Sequence, residues 1–153
     1  MPPRVFPPGF LWGTASGAHQ VEGQNTNNQW WDWEQQPGRI WHGDRSGDAC
    51  GWWRDPEPDF DRMAALGQNA HRLSIEWARI EPAPGEHDTS AVAHYRDVLA
   101  AAHDAGVTPW VCLHHFTLPR WFADGGGFLD PGWRDHWMRH VDFMVETFGD
   151  LVG

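Results

Sequence analysis

The sequence predicts an α/β fold in which three parallel strands each lead into a helix. Short apolar stretches alternate with segments of 3–4-residue apolar periodicity, in the order strand, helix, strand, helix, strand, helix. The turns from helix back into strand are short, Gly67-Gln68 and Gly106-Val107. The segments from strand into helix are long and rich in aromatic and polar residues. Alternation of this kind calls for right-handed parallel crossovers. The loop asymmetry gathers the chemistry at the C-terminal ends of the strands, as in a TIM barrel. The expected architecture is therefore an α/β partial (β/α)8 TIM barrel, made of its first three βα units.

The first strand is read at Phe10-Leu11-Trp12, heading the stretch FLWGTASGAHQVEG. Small residues from Gly13 to Ala18 follow and allow close backbone approach. They end in His19, Gln20 and Glu22, polar groups delivered where an α/β fold places its ligand. Gln24 to Pro56 is long and irregular, but Trp30, Trp31 and Trp33 argue against disorder, so the segment reads as functional. Asp55-Pro56 opens a helix with an apolar stripe of Phe60, Met63, Ala64 and Leu66, stopped by Gly67. Asn69 to Ile75 is the second strand, leading to a loop broken by Pro82, Pro84 and Gly85. Any of Asp88, Thr89 and Ser90 can cap the second helix, whose stripe is Val92, Tyr95, Val98, Leu99 and Ala102, ending at Gly106. The third strand, Thr108 to Leu113, runs into His114-His115-Phe116. Asp130 is expected to cap the third helix with Pro131 at its first position. Trp133, Trp137, Val141, Met144 and Phe148 form its apolar face, and Gly149 ends it.

Composition narrows the function. The chain has 153 residues, 41% hydrophobic and 21% charged, as in a soluble globular domain. Its net charge is -10, and all 11 basic residues are arginines, which argues against nucleic acid and anionic membrane as partners. No stretch is long and apolar enough to span a membrane, and the N-terminal MPPRVFPPGF has no apolar core of signal-peptide length. A cytoplasmic location is the expectation. Cys50 and Cys112 show no metal-ligand or CxxC spacing, and Cys112, inside an apolar run, reads as a buried thiol. The 12 tryptophans read mainly as core and loop packing, with two or three left as platforms on which a sugar stacks.

Three separated motifs, FPPGFLWGTASGAHQVEG, HRLSIEWARIEP and LHHFTLPRWF, resemble the N-terminal third of glycoside hydrolase family 1, the β-glucosidase-type TIM barrels. The resemblance covers nearly the whole chain. It implies retaining hydrolysis of β-glycosides with no metal or organic cofactor. It also implies that Gln20 and His115 bind the glycone sugar and that Arg72 lies beside the nucleophilic carboxylate, holding it ionised and oriented. An amide and a neutral imidazole each offer a donor and an acceptor to hydroxyls. A neighbouring arginine favours a charged carboxylate.

The same resemblance implies an acid/base glutamate in an NEP motif on the fourth strand and a nucleophile in an ENG motif on the seventh. Neither motif occurs here, so no catalytic residue is assigned within this chain. The chain is expected to be the N-terminal part of a single barrel domain, residues 1–153, stopping before the fourth strand; a complete barrel takes roughly 250 residues. The alternatives are a non-catalytic β-sugar-binding remnant and an inactive truncation, and open barrel edges make self-association expected. Glu76 and Glu81 are read as solvated or arginine-paired rather than catalytic, and Glu22 as structurally paired. Of His114 and His115, extended neighbours, one faces the site and one turns away. His136 and His140, spaced i, i+4, are read as a solvated edge rather than a metal site. Gly125-Gly126-Gly127 lacks the Lys-Ser/Thr of a phosphate loop and reads as a flexible turn.

Overall fold

The computed structural model describes residues 4–153; the start of the proline-rich N-terminus, residues 1–3, lies outside the described residues. Three strands, β1 (Gly13–Ala15), β2 (Ala70–Ser74) and β3 (Thr108–Cys112), form one parallel sheet in the order β1-β2-β3. The major helices are α3 (Glu57–Ala65), α5 (Thr89–Asp104) and α7 (Trp133–Phe148), each following one strand in the chain. Four short helices decorate the strand-to-helix segments: α1 (Ala18–Val21), α2 (Gln29–Glu34), α4 (Trp77–Ile80) and α6 (Arg120–Asp124).

Register separates the two faces of the sheet. Thr14 and His71 pair at one level, as do Leu73 and Val111, and this face meets the helices. Leu73 and Ile75 are buried there with Phe60, Tyr95, Val98, Leu99, Met144 and Phe148, while Val111 and Leu113 lie partly buried against the same core. The opposite face carries Ala15, Arg72 and Trp110 at one level and Ser74 and Cys112 at the next. Leu73, Ile75, Val111 and Leu113 therefore form no uncovered apolar wall on the open face. Side chains alternate along a strand, so Leu73 and Ile75 point at the helices, and the open face presents Arg72 and Trp110. Cys112 on that face is half-buried, not buried.

The first strand also lies elsewhere than expected. Phe10-Leu11-Trp12 is exposed (Leu11 by 51%), with Phe10 and Trp12 clustered on Phe6, at ring distances of 4.7 and 4.7 Å. The strand is instead Gly13-Thr14-Ala15, three residues later. Small residues are required there: a Cβ on Gly13 would stand 2.4 Å from the Ala70 carbonyl oxygen. Asn69 holds the entry, accepting from Trp12 N at 2.8 Å and donating to the Phe10 carbonyl at 3.1 Å.

The helix ends follow their sequence signals. Gly67 and Gly106 have φ of +76° and +75°. Gln68 N bonds the Met63 carbonyl and Val107 N the Ala102 carbonyl, both at 2.9 Å, so α3 and α5 close in Schellman motifs that turn at once into the next strand. Asp88 caps α5, accepting from Ser90 N and Ala91 N at 2.8 and 3.1 Å. Asp130 does not cap α7: its carboxylate accepts from Gly132 N at 2.8 Å, and the helix starts at Trp133, two residues beyond Pro131. On α3 only Phe60 and Met63 reach the core, while Ala64 and Leu66 are exposed. At the far end, Gly153 N donates to the Pro109 carbonyl of β3 at 3.0 Å.

Candidate active site

The C-terminal ends of β1 and β3 bring two distant side chains to one point. Past β1 the chain turns across β2: Ser16 N donates to the Arg72 carbonyl at 2.9 Å, and Ala18 N to Ser74 Oγ at 2.7 Å. This anchors α1 above the sheet, with Gln20 exposed on it. Past β3, His115 arrives from the other side. Between them lies Gly17. A Cβ built there would stand 2.8 Å from Gln20 Oε1 and 2.8 Å from His115 Nε2. Gln20 and His115, 95 residues apart in sequence, thus converge on the bare Cα of Gly17. His114 turns the other way, its ring against Phe128 and Trp137 and its Nδ1 at 3.2 Å from the Thr117 carbonyl. The expected split of the histidine pair is met.

Arg72 sits in the middle of β2 on the open face, level with Ala15 and Trp110. It is exposed and makes no side-chain hydrogen bond or ion pair among the described residues. It is not in the Gln20–His115 convergence; it lies two residues earlier on its strand than Ser74, which anchors α1.

The turn carrying His115 is held under tension. Phe116 has φ of +67°, an outlier for a bulky side chain that persists only when its surroundings enforce it. Three bonds do so. Gln29 Nε2 donates to the Phe116 carbonyl at 3.0 Å, Leu118 N donates to Gln29 Oε1 at 2.6 Å, and Thr117 Oγ1 donates to Glu76 Oε2 at 2.8 Å.

Behind the turn is a buried acid network that explains three glutamates. Glu22 accepts from Tyr95 OH at 2.7 Å, from Arg79 Nε at 3.0 Å and from Asn25 Nδ2 at 3.0 Å. Burial pushes its carboxyl up, against the pull of Arg79, Tyr95 and Asn25. Its expected structural pairing is thus observed. Burial would also push Glu81 up, but hydrogen bonds from Trp77 Nε1, Gly85 N and Arg139 outweigh it and hold the carboxyl below its usual range. Glu81 is arginine-paired, as expected. Glu76 is neither solvated nor arginine-paired, which corrects the reading of that residue. It is fully buried, its Oε1 has no hydrogen-bond partner among the described residues, and burial reinforced by Glu22 pushes it up to about 7.

Glu76 and Thr117 are the functional neighbours that sequence reasoning missed. One signal was available: Tyr95, the chain's sole tyrosine, stands in an apolar stripe, and a buried hydroxyl needs a partner. It has two, donating to Glu22 and accepting from Glu76 N at 3.0 Å.

His140 also departs from expectation. It is buried, not a solvated edge, with its ring stacked on Trp77 at 4.4 Å, and burial pushes it down to about 4. No group of three or more potential metal ligands occurs among the described residues. Gly126 and Gly127, with φ of +103° and +58°, form a turn that only glycine adopts freely.

Comparison with known proteins adds relatives to this geometry. The family model described as glycosyl hydrolase family 1 matches residues 3–153. β-Glucosidase 25 of Oryza sativa subsp. japonica is 32% identical over 96% of this chain and 31% of its own length. The β-glycosidase from Pyrococcus horikoshii superposes with a TM-score of 0.85 at 40% identity, over 95% of this chain and 34% of that one. The family 1 β-glucosidase from Thermotoga maritima gives a TM-score of 0.92 at 30% identity, over 96% and 34%. The chain spans about a third of the length of each.

Proposed function

Because the chain belongs to glycosyl hydrolase family 1, we propose that it supplies the sugar-holding part of a retaining β-glycosidase that hydrolyses β-glycosides. The reading rests on one observation, the convergence of Gln20 and His115 over Gly17 at the C-terminal end of a parallel sheet. An amide and an imidazole at one point offer paired donors and acceptors to adjacent hydroxyls of one sugar. Such bonds strengthen as the oxocarbenium-like transition state develops, so the pair contributes to rate as well as binding.

Arg72 takes the second role. Its guanidinium stands on the open face, the inner wall of a closed barrel, without a carboxylate among the described residues. A nucleophilic carboxylate brought there from elsewhere in the barrel would be held charged and oriented. Retaining hydrolysis needs two carboxyl groups about 5–5.5 Å apart. The buried acids among the described residues do not supply them: Glu22 and Glu81 are saturated with donors, Glu34 accepts from Ser46 N and Oγ, and Glu76 is sealed under the His115 turn. The proposed chemistry asks for no metal or organic cofactor.

The test is a pair of assays on an aryl β-glucoside. The 153-residue chain alone should show no turnover above background. A fusion in which it replaces the matching third of the Thermotoga maritima β-glucosidase should hydrolyse the substrate. Turnover by the chain alone, lost on mutating Glu76 or Glu81, would overturn the assignment.

A further inference from the structure

Among the described residues Glu76 is the one buried acid with an oxygen left unpaired. It stands two residues beyond the end of β2, 1% exposed, and is bonded to the turn that carries His115. The bonds run in one line from the acid to the sugar-holding pair. Thr117 Oγ1 donates to Glu76 Oε2 at 2.8 Å, Thr117 N donates to the His115 carbonyl at 2.9 Å, and the His115 ring meets Gln20 over Gly17. Within that turn Phe116, at φ +67°, keeps its conformation only under restraint. Gln29 restrains it on one side with two bonds, and the Thr117–Glu76 bond restrains it on the other.

The pocket of the acid suits a neutral carboxyl. An ionised carboxylate calls for donors on both oxygens, and the charged and titratable groups packed around Glu76 have none to spare. Glu22, beyond the end of α1, repels it. Arg79, on α4, is committed to Glu22 at 3.0 Å, to the Gly23 carbonyl at 2.6 Å and to the face of Trp53 at 3.9 Å. Tyr95, from α5, donates its hydroxyl proton to Glu22 and accepts from Glu76 N. The turn brings His115, at Gly17, and His114, whose ring lies against Phe128 and Trp137. Thr117 and the Ala78 backbone favour the carboxylate, but burial and Glu22 outweigh them, so the acid is neutral below a pH of about 7 and ionised above it. Once ionised it needs water, and the cover over it is the strained turn.

We propose that Glu76 is a positioning residue for sugar binding: as the neutral acid it clasps Thr117 and holds His115 against Gln20, and as the carboxylate it frees the turn, so that the hold on the sugar weakens as pH rises. This rests on the reading of Gln20 and His115 as the pair that holds the sugar. The test uses the Thermotoga maritima fusion, with kcat/KM for an aryl β-glucoside followed from pH 5.5 to pH 8.5. The variants are E76Q, H115A, the E76Q/H115A double variant, T117V and T117S. Limbs due to carboxyl groups elsewhere in the barrel are common to the parent and E76Q, so they cancel in the ratio of the two. The parent's kcat/KM relative to that of E76Q should fall at least fivefold across the range, because the amide cannot ionise. In the H115A background the same ratio should stay level, whereas a role in overall stability alone would leave the fall in place. T117V and T117S test the clasp without E76Q: T117V should lose at least fivefold at pH 5.5, and T117S should regain it. With H115A at least tenfold below the parent, the latch alone is overturned by a level parent-to-E76Q ratio, by a fall that persists in the H115A background, or by T117V within twofold of the parent. H115A within twofold of the parent at pH 5.5 overturns the reading of His115, and the latch with it.

Discussion

Gly17, Glu76 and Thr117 show how much of the site depends on residues with no chemistry of their own. Gly17 contributes an absence, since any side chain would occupy the space of Gln20 Oε1 and His115 Nε2. Glu76 contributes an acceptor to Thr117, and Thr117 N bonds the His115 carbonyl at 2.9 Å. The acid is expensive to keep there. Its carboxyl is pushed up to about 7, chiefly by burial, then by Glu22, with Arg79 and the Thr117 and Ala78 bonds pulling the other way. Below pH 4.5 both folded and unfolded chains hold this proton. From pH 4.5 to about 7 only the folded chain holds it, so stability falls as pH rises through that window. The loss at pH 8 is on the order of 3 kcal/mol. Glu76→Gln keeps an acceptor for Thr117 and has no charge to bury. Urea unfolding at pH 4.5 and pH 8 should find the variant close to wild type at the lower pH and more stable by about 2–3 kcal/mol at the higher. A stability difference that does not change with pH would mean that Glu76 is ionised in the folded chain.

At the scale of elements, the signals that were legible were those written in backbone chemistry. Gly67 and Gly106 announce Schellman ends, Asp88 a cap, and the short turns after both glycines a return to a parallel strand. The α5 stripe was legible because Tyr95, Val98, Leu99 and Ala102 repeat on one buried face. The first strand was not. Its apolar neighbours Phe10, Leu11 and Trp12 outweigh Gly13-Thr14-Ala15 in any reading by hydrophobicity, yet the close approach to Ala70 admits only small residues. The two faces of the sheet follow from alternation along β2: Leu73 and Ile75 turn to the helices, while Arg72 and Ser74, beside and between them, turn to the open face. The short α2 was invisible within a segment rich in polar residues, although Asn28 is a fitting cap for it. Gln20, His115 and Arg72 stand out through three motifs, but the meeting of Gln20 and His115 over Gly17 requires the sheet order that brings β1 and β3 to either side of β2.

The whole molecule exposes more surface than its size warrants. Its accessible area is 9184 Å², against about 7,900 Å² expected for a compact monomer of this mass. The excess fits a sheet with one uncovered face, bearing Trp110 and Arg72, and unclosed edges at β1 and β3. We infer that the isolated chain self-associates or binds a hydrophobic dye at micromolar concentration. Size-exclusion chromatography with dye fluorescence checks this: a sharp monomer peak without dye binding would show that the open face is tolerated in water. The central claim is that Gln20 and His115 act together on one sugar. Its most direct test is a double-mutant cycle for Q20A and H115A on kcat/KM for an aryl β-glucoside, in the fusion that completes the barrel. Each single variant should lose at least tenfold, about 1.4 kcal/mol of transition-state stabilisation, and the double variant should lose less than the product of the two. Both single variants remaining within twofold of the parent would contradict it.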